Sequence, residues 1–139
     1  MNHKQIRQGF ILAALMNIGG VLIFSRVFSN SAINRADPVV MTNFGLLMII
    51  VWGLAYLGAA NIDSGIKWLA GAFAIEKLVY GVVWINWLSN HSLAQLYNED
   101  VFAGAFYSIY GANDLAFMLF FAYVFFREPS RSSVALNEA

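Results

Sequence analysis

Three ionisable side chains stand in apolar surroundings. Glu76 and Lys77 are neighbours inside FAIEKLVYGVVW, residues 73–84, and Asp114 interrupts the long apolar run that follows. An acid and a base so placed can pair, hold a counter-charged molecule, or pass a proton. They could also serve as general acid and base, but such catalysis needs a reacting partner group. None is visible. The chain has no cysteine, and its two histidines, His3 and His91, lie outside the apolar runs. Haem ligation, thiolate chemistry, a catalytic triad and a di-iron carboxylate site therefore have no support. Gly19-Gly20 lacks the lysine and hydroxyl partners of a phosphate loop. No cofactor and no metal site is expected, and the chain reads as a non-enzyme.

The elements that must position these residues are membrane helices. The sequence of 139 residues is 60% hydrophobic and 12% charged, with zero formal net charge. A soluble domain is typically about 45–50% apolar and about 25% charged. The neutral balance gives no sign of a nucleic-acid partner. A membrane helix needs about 20 mostly apolar residues, and four runs qualify, at roughly 9–28, 39–60, 66–89 and 101–126. The fold class expected is all-α, a four-helix transmembrane bundle. One domain covers 1–128, and a flexible polar tail covers 129–139. The first run exceeds a signal-peptide core of about 7–15 residues, so it reads as a retained helix.

Local signals punctuate the spans. Asp37-Pro38 can serve as cap and first residue of the second helix. Asp63 or Ser64 can cap the third, the acids at 99 and 100 suit the start of the fourth, and Pro129 ends it. Lys4, Arg7, Lys67, Arg127 and Arg131 would share one side of the membrane, with Arg26 and Arg35 on the other. That bias puts both termini in the cytoplasm, in a cytoplasmic (inner) membrane of bacterial type.

Counting from the span ends brings Asn17, Glu76, Lys77 and Asp114 to similar depth near the bilayer centre. Charges there cost about 2.5–3.5 kcal/mol each on insertion scales, so they must face protein or water rather than lipid. At about 100° per residue, Phe73, Glu76, Lys77, Tyr80, Trp84 and Trp87 share one arc of the third helix. Ile75, Leu78, Val82 and Ile85 take the opposite, lipid-facing side. On the fourth helix Tyr107, Tyr110, Asp114, Phe117 and Phe121 share a face. On the first, Ala13, Ala14, Asn17 and Gly20 form a small-residue surface suited to close helix approach.

Two carboxylates against one ammonium leave one negative charge over. Either one acid keeps its proton or an outside cation fills the gap. The reading that follows is an integral membrane protein that binds or transports a small amphiphilic molecule, with an amine-bearing or cationic head among the candidates, in a proton-linked manner. Its expected site is a midplane cavity between the third and fourth helices. Glu76, Lys77 and Asp114 supply the charge, Asn17 an amide, and Tyr80, Trp84, Tyr107 and Tyr110 the walls. The alternative is an accessory subunit of a membrane complex, in which the same polar group only seals helix contacts. Expected partners are the lipid bilayer, such a ligand, and a second copy or another membrane protein.

Overall fold

The computed structural model describes residues 1–129; of the tail expected at 129–139, residues 130–139 lie outside the described residues. Six helices follow one another: α1 His3–Phe24, α2 Ser31–Ala36, α3 Asn43–Ala59, α4 Lys67–Asn90, α5 Leu93–Glu99 and α6 Val101–Arg127. Among the described residues there is no strand. Three helices, α1, α4 and α6, are long and apolar enough to cross a membrane. The fourth apolar helix, α3, has 17 residues. At about 1.5 Å per residue it falls a few ångströms short of a hydrocarbon core of about 30 Å.

Caps explain most of the boundary differences. α1 begins earlier than the apolar pattern suggests, because Asn2 and Gln5 form a reciprocal capping box with bonds of 2.8 and 2.9 Å. It ends where Arg26, Val27 and Phe28 all adopt positive φ, of 48°, 55° and 65°. Side chains with a Cβ resist this region. Ser25 holds the turn, its hydroxyl accepting from the Phe28 N–H at 2.9 Å and its carbonyl from the Asn30 N–H at 2.8 Å. Asp37-Pro38 does not open α3. Asp37 instead accepts from the Val39 and Val40 N–H groups and closes a single turn, and Thr42 caps α3 through the Gly45 N–H at 3.1 Å. Neither Asp63 nor Ser64 caps α4: Ile66 holds the cap position and makes no side-chain bond there.

Asp100 does cap α6, accepting from the Ala103 N–H at 2.8 Å. It also accepts from the Asn30 amide at 2.8 Å and pairs with Arg26 at 3.0 Å, which ties the α1 turn to the start of α6. Burial alone would push this carboxyl up. The Ala103 N–H, the Asn30 amide and the Arg26 guanidinium outweigh it and hold the group below its ordinary value.

α4 packs along α6, and α1 along α3. Glycines allow both approaches. A Cβ on Gly111 would lie 1.9 Å from the Trp84 ring, and one on Gly81 would lie 2.6 Å from Leu115. A Cβ on Gly53 would lie 2.7 Å from Ile18 and 3.1 Å from the Asn17 Cβ. α1 also meets α6, with the Phe10 and Phe121 rings 5.1 Å apart. Two apolar clusters result. One gathers Phe10, Tyr56, Phe73 and Phe121; the other gathers Val21, Ile33, Leu46, Trp87 and Phe106. The polar residues at 17, 76, 77 and 114 lie between them along the helices. Ile75, Leu78, Val82 and Ile85 are exposed, as an amphipathic reading of α4 requires.

Candidate functional site

Adjacent residues on a helix point about 100° apart, so Glu76 and Lys77 can serve different neighbours. Lys77 turns toward α1 and α6. Its Nζ donates to Asn17 Oδ1 at 2.8 Å and forms an ion pair with Asp114 Oδ1. Asn17 in turn donates its amide to the Ile49 carbonyl at 3.0 Å, using a second lone pair of a helical oxygen. The Gly53 contact fixes α1 close enough to α3 for that bond. Glu76 turns the other way and accepts a hydrogen bond from the Tyr56 hydroxyl. The Lys77 ammonium also lies 5.4 Å from the centre of the Tyr56 ring, within cation–π range. Lys77 is 1% exposed, so bulk water does not reach its charge.

The arrangement leaves polar atoms unmet. Glu76 Oε1 and the Tyr110 hydroxyl are buried without a partner among the described residues. Asp114 Oδ1 takes Lys77 and, at a long 3.5 Å, the Asn113 amide; Oδ2 receives no hydrogen bond among the described residues. Leaving the two buried atoms, Glu76 Oε1 and the Tyr110 hydroxyl, unmet costs about 1–3 kcal/mol each, so they call for a proton, a water or a ligand.

Beside this centre, between α1 and α6, lies a crevice of about 50 Å³. Asn17, Tyr110, Asn113 and Asp114 form its polar floor, while Val21, Phe24, Ile49 and Phe106 form apolar walls. Met16 and Ile109 stand at its rim, 38% and 42% exposed. Gly20 lines it too, and a Cβ there would meet nothing within 4 Å.

The sequence-predicted residues therefore divide. Asn17, Lys77 and Asp114 are brought together, and Glu76 sits beside them on the α3 side. The cavity expected between the third and fourth helices is replaced by close packing of α4 on α6. Trp84 lies over Gly111 and donates its indole N–H to the Tyr107 carbonyl at 2.6 Å. Tyr107 is buried and points toward α2; its hydroxyl donates to the Ile33 carbonyl at 3.0 Å and its ring lies 4.3 Å from that of Trp87. These two residues hold α6 to α4 and to α2. Tyr80 is half-buried and makes no hydrogen bond among the described residues. Only Tyr110 of the expected aromatic walls lines the crevice.

Tyr56 was not expected at the site. It stands near the C-terminal end of α3, but a tyrosine hydroxyl reaches farther than one helical turn of about 5.4 Å, and depth counted by residue misses that reach. Asn113, outside the expected set, lines the crevice as well. No three His, Cys, Asp or Glu side chains gather as a metal site would need, among the described residues. No protein-family model, no curated protein and no solved structure matches this chain.

Proposed function

We propose that the protein is a multi-pass membrane protein that binds or transports a small amphiphilic molecule at the α1–α6 crevice. The observation that carries this reading is a crevice with apolar walls whose lining also includes Asn17, Tyr110, Asn113 and Asp114, beside the Lys77–Asp114 ion pair at mid-helix depth. A polar head sits on the floor and an apolar tail leaves past Gly20. Lys77 fixes the orientation of Asp114. Glu76, which has no ion-pair partner among the described residues, is the group that exchanges a proton.

In this reading α3 is a fourth span, with the membrane drawn slightly thinner around it. Both termini lie in the cytoplasm of a bacterial-type inner membrane, following the Lys and Arg bias. The cysteine-free chain suits the check of orientation: Ser64→Cys and Gln95→Cys should react with an impermeant thiol reagent from opposite sides.

The test of binding is photolabelling in membranes with a diazirine-bearing long-chain amphiphile. Adducts should fall on α1 and α6 residues around Gly20 and Ile109, and Gly20→Leu should remove most of them. Labelling spread over all lipid-facing residues, and indifferent to Gly20→Leu, would defeat the proposal.

A second reading has its own observation. The Lys77 ammonium is fully buried and already held by an acid and an amide, as a helix-sealing polar knot would be. In an accessory subunit, Asp114→Asn would lower folding yield or partner association, and no ligand would depend on the crevice.

A further inference from the structure

We infer that the groove between the start of α4 and the end of α6 holds an anionic phospholipid, with one acyl chain against Trp68 and Phe126 and the phosphate on Lys67. This site is separate from the α1–α6 crevice. The groove has a volume of about 440 Å³ and an almost wholly apolar lining. That lining joins Trp68, Gly71, Ala72 and Ile75 of α4 to Phe125 and Phe126 of α6. Trp68 is 69% exposed and Phe126 79%. Phe125 stands edge-on to Trp68, with ring centres 5.5 Å apart. From residue 68 to residue 75 the groove runs about 10 Å, at about 1.5 Å per residue. One leaflet contributes half of a hydrocarbon core of about 30 Å, so the groove accompanies a chain through most of that leaflet.

Charge selects the occupant. Lys67 stands four residues before Gly71 and seven before Ala74, both in the lining, so it heads the same helix face. Its ammonium lies 5.1 Å from the centre of the Phe125 ring and donates to the Glu128 carbonyl at 3.1 Å. An ammonium has three donors, and the other two go to no protein group among the described residues. The two ends of the molecule differ in this respect. Arg26 and Arg35 each pair with a carboxylate, Asp100 and Glu99. At the opposite end Lys4, Arg7, Lys67 and Arg127 pair with none among the described residues. Asp63 and Glu128 share that end, but they line a separate cavity beside Arg7 and not the groove. An apolar groove headed by a cation with donors to spare suits a long chain that carries a phosphate.

A second copy of this chain suits the groove less well. A two-fold contact sets the same patch of each copy against the other. Lys67 would then approach Lys67 at equal depth, and no carboxylate lines the groove to offset the two charges. A zwitterionic lipid carries its own cation beside the phosphate, so it gains less from Lys67 than an anionic one does.

The test is quenching of Trp68 fluorescence by lipids brominated on their acyl chains, with the full chain in phosphatidylcholine vesicles. The Trp68 signal is the difference between wild type and Trp68→Phe. Brominated phosphatidylglycerol should quench it at a mole fraction about fivefold lower than brominated phosphatidylcholine, a difference of about 1 kcal/mol, as one basic residue contributes beside anionic lipid. Lys67→Gln keeps a donor for the Glu128 carbonyl and should abolish the preference, and Lys67→Arg should retain it. Arg7→Gln, away from the groove, should leave it unchanged. Ala72→Phe puts a ring into the groove from an exposed position and should bring the anionic lipid down to the phosphatidylcholine level. Equal quenching by the two lipids in wild type would mean ordinary surrounding lipid only, and would overturn the inference. So would a preference that survives Lys67→Gln or Ala72→Phe, which places the lipid elsewhere. An equal loss in Arg7→Gln and Lys67→Gln would also overturn it, by assigning the preference to overall charge.

Discussion

Glu76 and Lys77 are neighbours in sequence but serve opposite sides of α4. The lysine joins Asn17 and Asp114, and the glutamate joins Tyr56. Breaking one partner of a buried pair leaves an unmatched charge and typically costs about 3–5 kcal/mol, while replacing both by apolar groups is often neutral. Asp114→Asn and Lys77→Met should therefore each destabilise the protein by about that much, and the double variant by much less than the sum. Thermal unfolding in detergent, run as a double-mutant cycle, reads this directly; additive losses would mean that the two charges do not interact. The members of this centre were legible because charge in an apolar run is rare and depth can be counted. Tyr56 was not, since a tyrosine in an apolar helix looks like any other aromatic until its hydroxyl is seen to reach Glu76.

Helix packing decided where the site opens. The polar–aromatic arcs of α4 and α6 were legible from periodicity, but arcs do not say whether facing helices leave a cavity or close on each other. Gly81 and Gly111 settle that question, because a Cβ at either would strike the opposite helix. Trp84 and Tyr107 are consequently joined to each other instead of to a ligand. Gly111→Val should wedge α4 from α6 and cost about 1–3 kcal/mol or more, as overpacking does. Gly58→Ala, where a Cβ meets nothing within 4 Å, should be neutral or stabilise by up to about 1 kcal/mol. Similar unfolding midpoints for the two variants would contradict the packing account. The short helices α2 and α5 escaped the sequence because each has only 6 or 7 residues and is set by a cap, Asn30 or Ser92, and by packing on the long helices. The start of α3 was misread for a related reason. Asp37-Pro38 carries a helix-start signal, but Asp37 spends its oxygen on a single turn, and the Asn34 amide holds the Met41 carbonyl at 2.7 Å.

At the scale of the whole molecule, α1–α3 and α4–α6 form two close pairs that meet along α1 and α6. The crevice lies on that looser seam, and the ion pair from α4 to α6 reaches across it to Asn17 of α1. A molecule seated there would touch both pairs and could bias how they sit against each other, which is what transport or sensing would require. The membrane character of the chain was legible from composition. The seam was not, because it depends on which pairs of helices approach most closely.

The most direct measurement is native mass spectrometry of the protein taken with its surrounding lipid into polymer-bounded discs, so that detergent never competes for the crevice. A small non-phospholipid molecule should be retained on the wild-type chain and lost in Gly20→Leu, with the protein otherwise intact. Wild-type protein carrying phospholipid alone, or an adduct that Gly20→Leu leaves in place, would contradict the claim that the crevice is a ligand site.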